Sequence, residues 1–194
     1  MSSIIIKEIK EDDKASKKAF VKFPIKLYKG CPYYVPPLIL DELDTLNTKK
    51  NPAFDFCEIQ LFLAYKENEI VGRIAAIINH NANKIWDKKQ ARFSFVDFVD
   101  NNEVVDKLFE AAHKWAKAKG MDEIIGPMGF TDLDPEGLLI KGFDKVSTMA
   151  TKYSYPYYET QIERLGYEKD ADWKEFYIPV PPEAPERHQR IANM

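Results

Sequence analysis

Apolar residues recur at helical spacing most clearly between Glu103 and Lys119, where Val104, Val105, Leu108, Phe109, Ala112, Trp115 and Ala116 share one face. Gly120 supplies the stop for that helix. The run before it, Arg92 to Val99, is aromatic-rich and reads as a strand. The short apolar run after it, Met121 to Gly126, reads as another. A strand–helix–strand unit of this kind implies parallel strands in one sheet.

Elsewhere the period shifts. Ile4 to Ile9 is a β-branched run, and Asp13 to Phe20 has helical character. Pro24 lacks an amide donor, so it is expected to open a second short turn through Tyr28, closed by Gly30. Cys31 to Pro37 is irregular and leads into a helical patch over Leu38 to Leu46. Ile59 to Tyr65 and Val71 to Asn79 flank the turn residues 66–69 and form a hairpin. Residues 127–152 are loop-rich. Pro156 then opens a helix ending at Gly166, and Trp173 to Val180 is expected as a final strand. Residues 179–185 read as a proline-rich linker and Glu186 onward as the start of a helix. The domain expectation is therefore a unit over 1–180, with 181–194 leading toward a further domain.

Composition narrows the function. With 28 Lys+Arg against 31 Asp+Glu, the formal net charge is −3, without the basic excess that a nucleic-acid surface needs. A hydrophobic content of 45% over 194 residues supports a packed core. No apolar run approaches the roughly 20 residues of a membrane helix, and Ile4–Ile6 is too short for a signal peptide. Cys31 and Cys57 have no metal-like spacing, so reduced thiols and a cytoplasmic location are expected. Nucleophile-elbow, Walker, dinucleotide and zinc patterns are absent.

The derived order of elements, together with Leu108 to Gly120 and with Ile162-Glu163-Arg164-Leu165-Gly166-Tyr167, resembles the GNAT-type N-acetyltransferases. The second motif is similar to the family's helix ending Tyr-Glu-Lys-Leu-Gly-Phe. Residues 126–137 resemble a bacterial subgroup of GNAT-like proteins. The resemblance implies an α/β (α+β) fold with a mixed central sheet flanked by helices, spanning residues 4 to 180. It implies an N-acyltransferase, with acetyl-CoA as co-substrate and a small-molecule or peptide amine as acceptor. Val96, Phe98 and Val99 would meet the pantetheine arm. Asn101, Asn102, Glu103, Val104 and Val105 would start the helix that faces the pyrophosphate, where free amides and the helix dipole favour anions.

Two positions depart from the family pattern. Its Arg/Gln-x-x-Gly-x-Gly/Ala run falls on Asp100, Glu103 and Val105, which places negative charge beside the expected phosphates. Alternatively, Asn101 or Asn102 caps the helix and Glu103 favours its first turn. Ile162 stands where many members carry a tyrosine acid; Tyr158, one turn earlier, or Tyr157 could reach a similar direction or pack structurally. Glu123 and Asp97 are the acidic candidates for the base. Asp132, Asp134 and Glu136 have the beginning of a calcium-loop spacing, but Phe143 holds the twelfth position, so an Asx-type turn is expected. His80 reads as part of a polar turn or as a base, and His113 as a boundary residue. Three functions stay open: an acyltransferase, a GNAT-fold binding or scaffold module, and one half of a two-domain transferase.

Overall fold

The computed structural model describes residues 3–148, 151–183 and 185–193. Parts of the sequence expectations for residues 127–152 and for the linker thus fall on Met149, Ala150 and Ala184, outside the described residues. The elements are β1 (Ile4–Ile9), α1 (Lys14–Leu27), α2 (Ile39–Thr45), β2 (Cys57–Lys66), β3 (Glu69–Asn79), α3 (His80–Trp86), β4 (Gln90–Phe98), α4 (Asn102–Ala118), β5 (Glu123–Ile125), α5 (Tyr157–Arg164) and α6 (Glu186–Ala192). The strands lie in the order β1-β2-β3-β4-β5. The first three pairings are antiparallel, and β4–β5 is parallel, as the crossover through α4 requires.

One face of the sheet is covered by α4, whose Val104, Val105, Leu108, Phe109 and Ala112 pack with Phe62, Ala64, Ile74, Ala76 and Phe93. Gly72 makes this approach possible: a Cβ there would lie 2.6 Å from Leu108 Cδ1. The other face is covered by α1 and α2, through Phe20, Val21, Ile39 and Leu43.

Three sequence expectations are corrected. The first helix does not divide at Pro24; α1 runs through it to Leu27. The carbonyl of Phe20, four residues before Pro24, is freed by the missing amide and accepts instead from Arg73 Nη1 at 3.0 Å. His80 does not sit in a turn but opens α3, which Asn79 caps by accepting from Ala82 N at 2.8 Å. Residues 173–180 form no strand: Trp173, Phe176, Tyr177, Ile178 and Val180 are all exposed, and no sheet edge receives them. The aromatic and β-branched residues are present, but a strand exists only when a neighbouring edge bonds it.

Candidate active site

Strand β4 changes partner along its length. Its first three residues, Gln90 to Arg92, pair with β5, whose last residue is Ile125. The chain after β5 bonds β4 once more, Met128 N donating to Phe93 O at 2.9 Å, and the β4–β5 ladder does not continue past Arg92. On its other edge, the register with β3 shifts between Arg73 and Ala75, leaving Phe95 and Val96 opposite Ile74. This is a β-bulge, and Phe95 adopts φ +45° to make it. Beyond the bulge Val99 N bonds Val71 O, so the alternation of the ladder turns the N–H and C=O of Phe98 away from β3.

The bulge is backed by charge. Arg73, directly opposite Asp97 in the register, donates from Nε to Asp97 Oδ2 at 2.7 Å, and both side chains are buried. Its Nη1 also faces Glu42 Oε2 at 3.8 Å. That Glu42 oxygen is buried and, among the described residues, accepts no hydrogen bond. Desolvation opposes the Arg73 charge, but Asp97 and Glu42 outweigh it and raise its pKa. Asp97 Oδ1 lies 3.1 Å from the Tyr28 hydroxyl and 3.4 Å from that of Tyr158. The two hydroxyls are 2.9 Å apart. Burial, reinforced by the Asp97 carboxylate, pushes both phenols well above their ordinary range, so both stay protonated.

Tyr158 and Asp97 are therefore brought together, and Tyr158 has a second bond: its oxygen accepts from Phe98 N at 3.1 Å. Tyr157 donates to Phe98 O at 2.7 Å. The two tyrosines thus take the backbone groups of Phe98, while Val99's amide belongs to β3. The third strand residue in the pantetheine expectation, Val96, lies in the bulge opposite Ile74. Glu123 is not brought to the cluster. It pairs with Gln90 at the far end of β4, about 23 Å from Asp97 along the strand at ~3.3 Å per residue, and accepts from Gln90 Nε2 at 2.9 Å.

The start of α4 is simpler than its charges suggested. Asn101 is the cap, accepting from Val104 N at 3.2 Å. Glu103 turns away toward β1, accepting from Ile4 N at 3.3 Å and pairing with Lys107 at 3.2 Å; the Ile4 bond lowers its pKa. Asp100 and Asn102 are held by Gln161 Nε2 at 2.8 and 2.9 Å. Neither carboxylate hangs free over the helix end, and the first-turn amides of Asn102 and Glu103 are left for water or an anion. Val104 and Val105 are buried against the sheet. Their side chains anchor the turn.

Sequence reasoning missed Arg73, Glu42 and Lys152. Lys152 precedes α5, is exposed, and holds its ammonium 4.7 Å from the centre of the Phe95 ring. Arg73 did carry a signal, as the one charge inside the apolar run from Ile70 to Ile78. His80 pairs with Glu58 at 2.9 Å, on the side of the sheet end occupied by Glu58 and Lys119. His113 stands 2.6 Å from the Tyr167 hydroxyl on α4. Near it an open groove of about 550 Å³ runs along α4 past Phe109, His113 and Leu165, away from the Asp97 cluster. Asp134 Oδ2 accepts from Thr131 N at 2.8 Å and closes a turn. Among the described residues no cluster of His, Cys, Asp or Glu could hold a metal ion, and no helix is long and apolar enough to cross a membrane. Both cysteines are free thiols.

No protein-family model matches the chain. Protein YghO of Escherichia coli (strain K12) is 37% identical over 155 residues, covering 80% of this chain and 40% of that protein. The bacterial ceramide synthase of Caulobacter vibrioides is 31% identical over 177 residues, covering 91% of this chain and 46% of that protein. The chain thus spans less than half the length of each. Among solved structures, an aminoglycoside acetyltransferase from an uncultured soil metagenomic sample, in complex with sisomicin, superposes with a TM-score of 0.53 at 14% identity, over 92% of this chain and 97% of that one. A tandem GNAT protein from the clavulanic acid biosynthesis pathway gives 0.54 at 9% identity, over 84% of this chain and 43% of that one. With its mixed five-stranded sheet, its α4 crossover and its strands parting beside a bulge, the chain has the fold of the GNAT acetyltransferases.

Proposed function

We propose that this chain is an acyl-transfer domain that moves an acyl group from acyl-CoA to an amine. The observation that carries the reading is β4, whose ladder with β5 ends at Arg92, whose last bond to the chain after β5 is at Phe93 O, and which bulges at Phe95 beside the buried Arg73–Asp97 pair. A parted strand edge offers backbone hydrogen bonds to an extended thioester arm, and a bulge re-aims backbone groups at one point. Val96 would hold the arm. The amides of Asn102 and Glu103 would meet the pyrophosphate, with Asn101, Val104 and Val105 fixing the turn that presents them. Asp97 and Tyr158 would act through position, locking the bulge and the Phe98 edge.

The likeness to a ceramide synthase points to the acceptor. A ceramide is the N-acyl derivative of a long-chain amino alcohol, so an amphiphilic amine is the substrate class to try first. Exposed Val35, Leu38 and Leu40, on and just before the helix that carries Glu42, would give such a chain an apolar surface. Calorimetry with acetyl-CoA and palmitoyl-CoA tests the reading: the full-length protein should bind, and loss of affinity on Val96→Pro, with the fold intact by circular dichroism, should follow. No binding at millimolar CoA would overturn it.

One observation favours a second reading. Because Tyr157 and Tyr158 already occupy Phe98, the second reading is a GNAT-fold module without CoA chemistry of its own, the donor being bound elsewhere. In that case CoA binding would survive every substitution on β4.

A further inference from the structure

Beside the bulge stands one ionisable side chain that the reading above leaves without a task. Lys152 is exposed, and its ammonium lies against the ring of Phe95, the residue whose positive φ forms the bulge. The charged groups facing it come from four places in the chain: Glu42 on α2, Arg73 on β3, Asp97 on β4 and Asp134 in the loop after β5.

Each of those neighbours is already committed. Asp97 is held by Arg73 at 2.7 Å and lies within reach of two tyrosine hydroxyls. Glu42 faces Arg73 with its buried oxygen. Asp134 accepts the Thr131 amide, and Arg73 cannot lose its proton. The phenols of Tyr28, Tyr34 and Tyr158 are kept protonated by burial. Lys152 makes no ion pair among the described residues, and it is open to an incoming molecule.

Resting on the acyl-transfer reading, we propose that Lys152 is the proton acceptor for the attacking amine. The acceptor arrives as an ammonium and gives one proton to the neutral Nζ of Lys152. Its nitrogen then attacks the thioester carbonyl carbon; the C–N bond forms and the C–S bond breaks. Sulfur leaves as thiolate and takes the second proton shed by the nitrogen, and Lys152 returns its own proton to water. Crowding by protein atoms and the nearby Arg73 charge favour the neutral amine, while Glu42, Asp97 and Asp134 oppose them; the balance lowers its pKa. That lowering is in the direction a general base requires.

The test uses the full-length protein with palmitoyl-CoA and sphinganine as probe substrates, comparing wild type with Lys152→Arg and Lys152→Met. The wild-type kcat should rise with pH through a midpoint below the ordinary lysine value. Both variants should lose that limb and about 100-fold in kcat, within the usual range for a removed base, while acyl-CoA affinity changes less than twofold. Competitive reductive methylation with formaldehyde, which needs no turnover, should show Lys152 titrating below the surface lysines. An unchanged pH profile in Lys152→Arg, or an ordinary titration of Lys152, would overturn the role. A wild type that neither binds nor consumes acyl-CoA would instead remove the reading beneath it.

Discussion

The two faces of the sheet are held by different forces. Beneath α4, Val104, Leu108 and Phe109 meet Ile74, Ala76 and Phe93 in apolar contact, and the helix's polar bonds to the sheet, from Glu103 and Lys107 to Ile4, lie at the β1 edge. Beneath α1 and α2, the apolar packing of Phe20 and Ile77 surrounds Arg73, Asp97 and Glu42. An apolar face gains stability with every methylene buried. A buried ion pair contributes little net stability and becomes costly once one partner is removed. The difference marks the second face as the one where the chain carries a burden that stability alone does not explain.

The largest expected effect probes that burden. Arg73→Met leaves Asp97 charged and unpaired, and should cost about 3–5 kcal/mol in urea denaturation. Arg73→Met with Asp97→Leu and Glu42→Leu, which removes all three buried charges, should recover most of that loss while abolishing activity. If the triple variant stays as unstable as the single, the charges are structural and the contrast between the faces fails.

Leu108→Ala tests the other face. It should cost about 2–5 kcal/mol and leave acyl-CoA affinity unchanged. Gly72→Ala forces a Cβ to within 2.6 Å of the same Leu108 side chain, for about 1–3 kcal/mol of overpacking. Combined with Leu108→Ala it should cost far less than the sum. A smaller effect, about 1 kcal/mol, is expected for Asn101→Ala, which removes the α4 cap.

The smallest concerns His113 on the outer side of α4. Desolvation lowers its pKa below the usual 6.5, so the folded state prefers the neutral ring. Its contribution is present above the ordinary histidine range. It is lost as pH falls through 6.5 toward His113's own lower midpoint, because the unfolded chain gains its proton first. An NMR titration should place that midpoint below 6.5, and Tyr167→Phe, which deletes the hydroxyl 2.6 Å from Nε2, should move it.

The apolar face was legible because its information is local. The period of Val104 to Ala116 and the stop at Gly120 sit within seventeen residues of each other, and the structure places α4 at Asn102–Ala118. The hairpin was legible for the same reason. The charged face was not, because its members come from α2, β3, β4 and the approach to α5, and no window holds more than one of them. Pro24 carried a hint that went unread. It was taken as a helix boundary, yet a proline inside a helix also releases the carbonyl four residues earlier, here Phe20, which Arg73 uses. Asp97 was named as an acid from its place in the fold. Its partner Arg73 became visible only through the register of β3 against β4. Glu123 was named on the same grounds and lies at the opposite end of the strand.

The extended stretch after α5 has a consequence for handling the protein in solution. Trp173, Phe176, Tyr177, Ile178 and Val180 lie in the open within eight residues, an apolar density that soluble surfaces seldom carry. Lys174, Glu175 and Pro179 interrupt the run, two by charge and one by withholding an amide, which slows the stacking of like segments. The two charges are opposite and cancel within the stretch, so the exposed aromatic side chains set the solubility limit with little dependence on ionic strength.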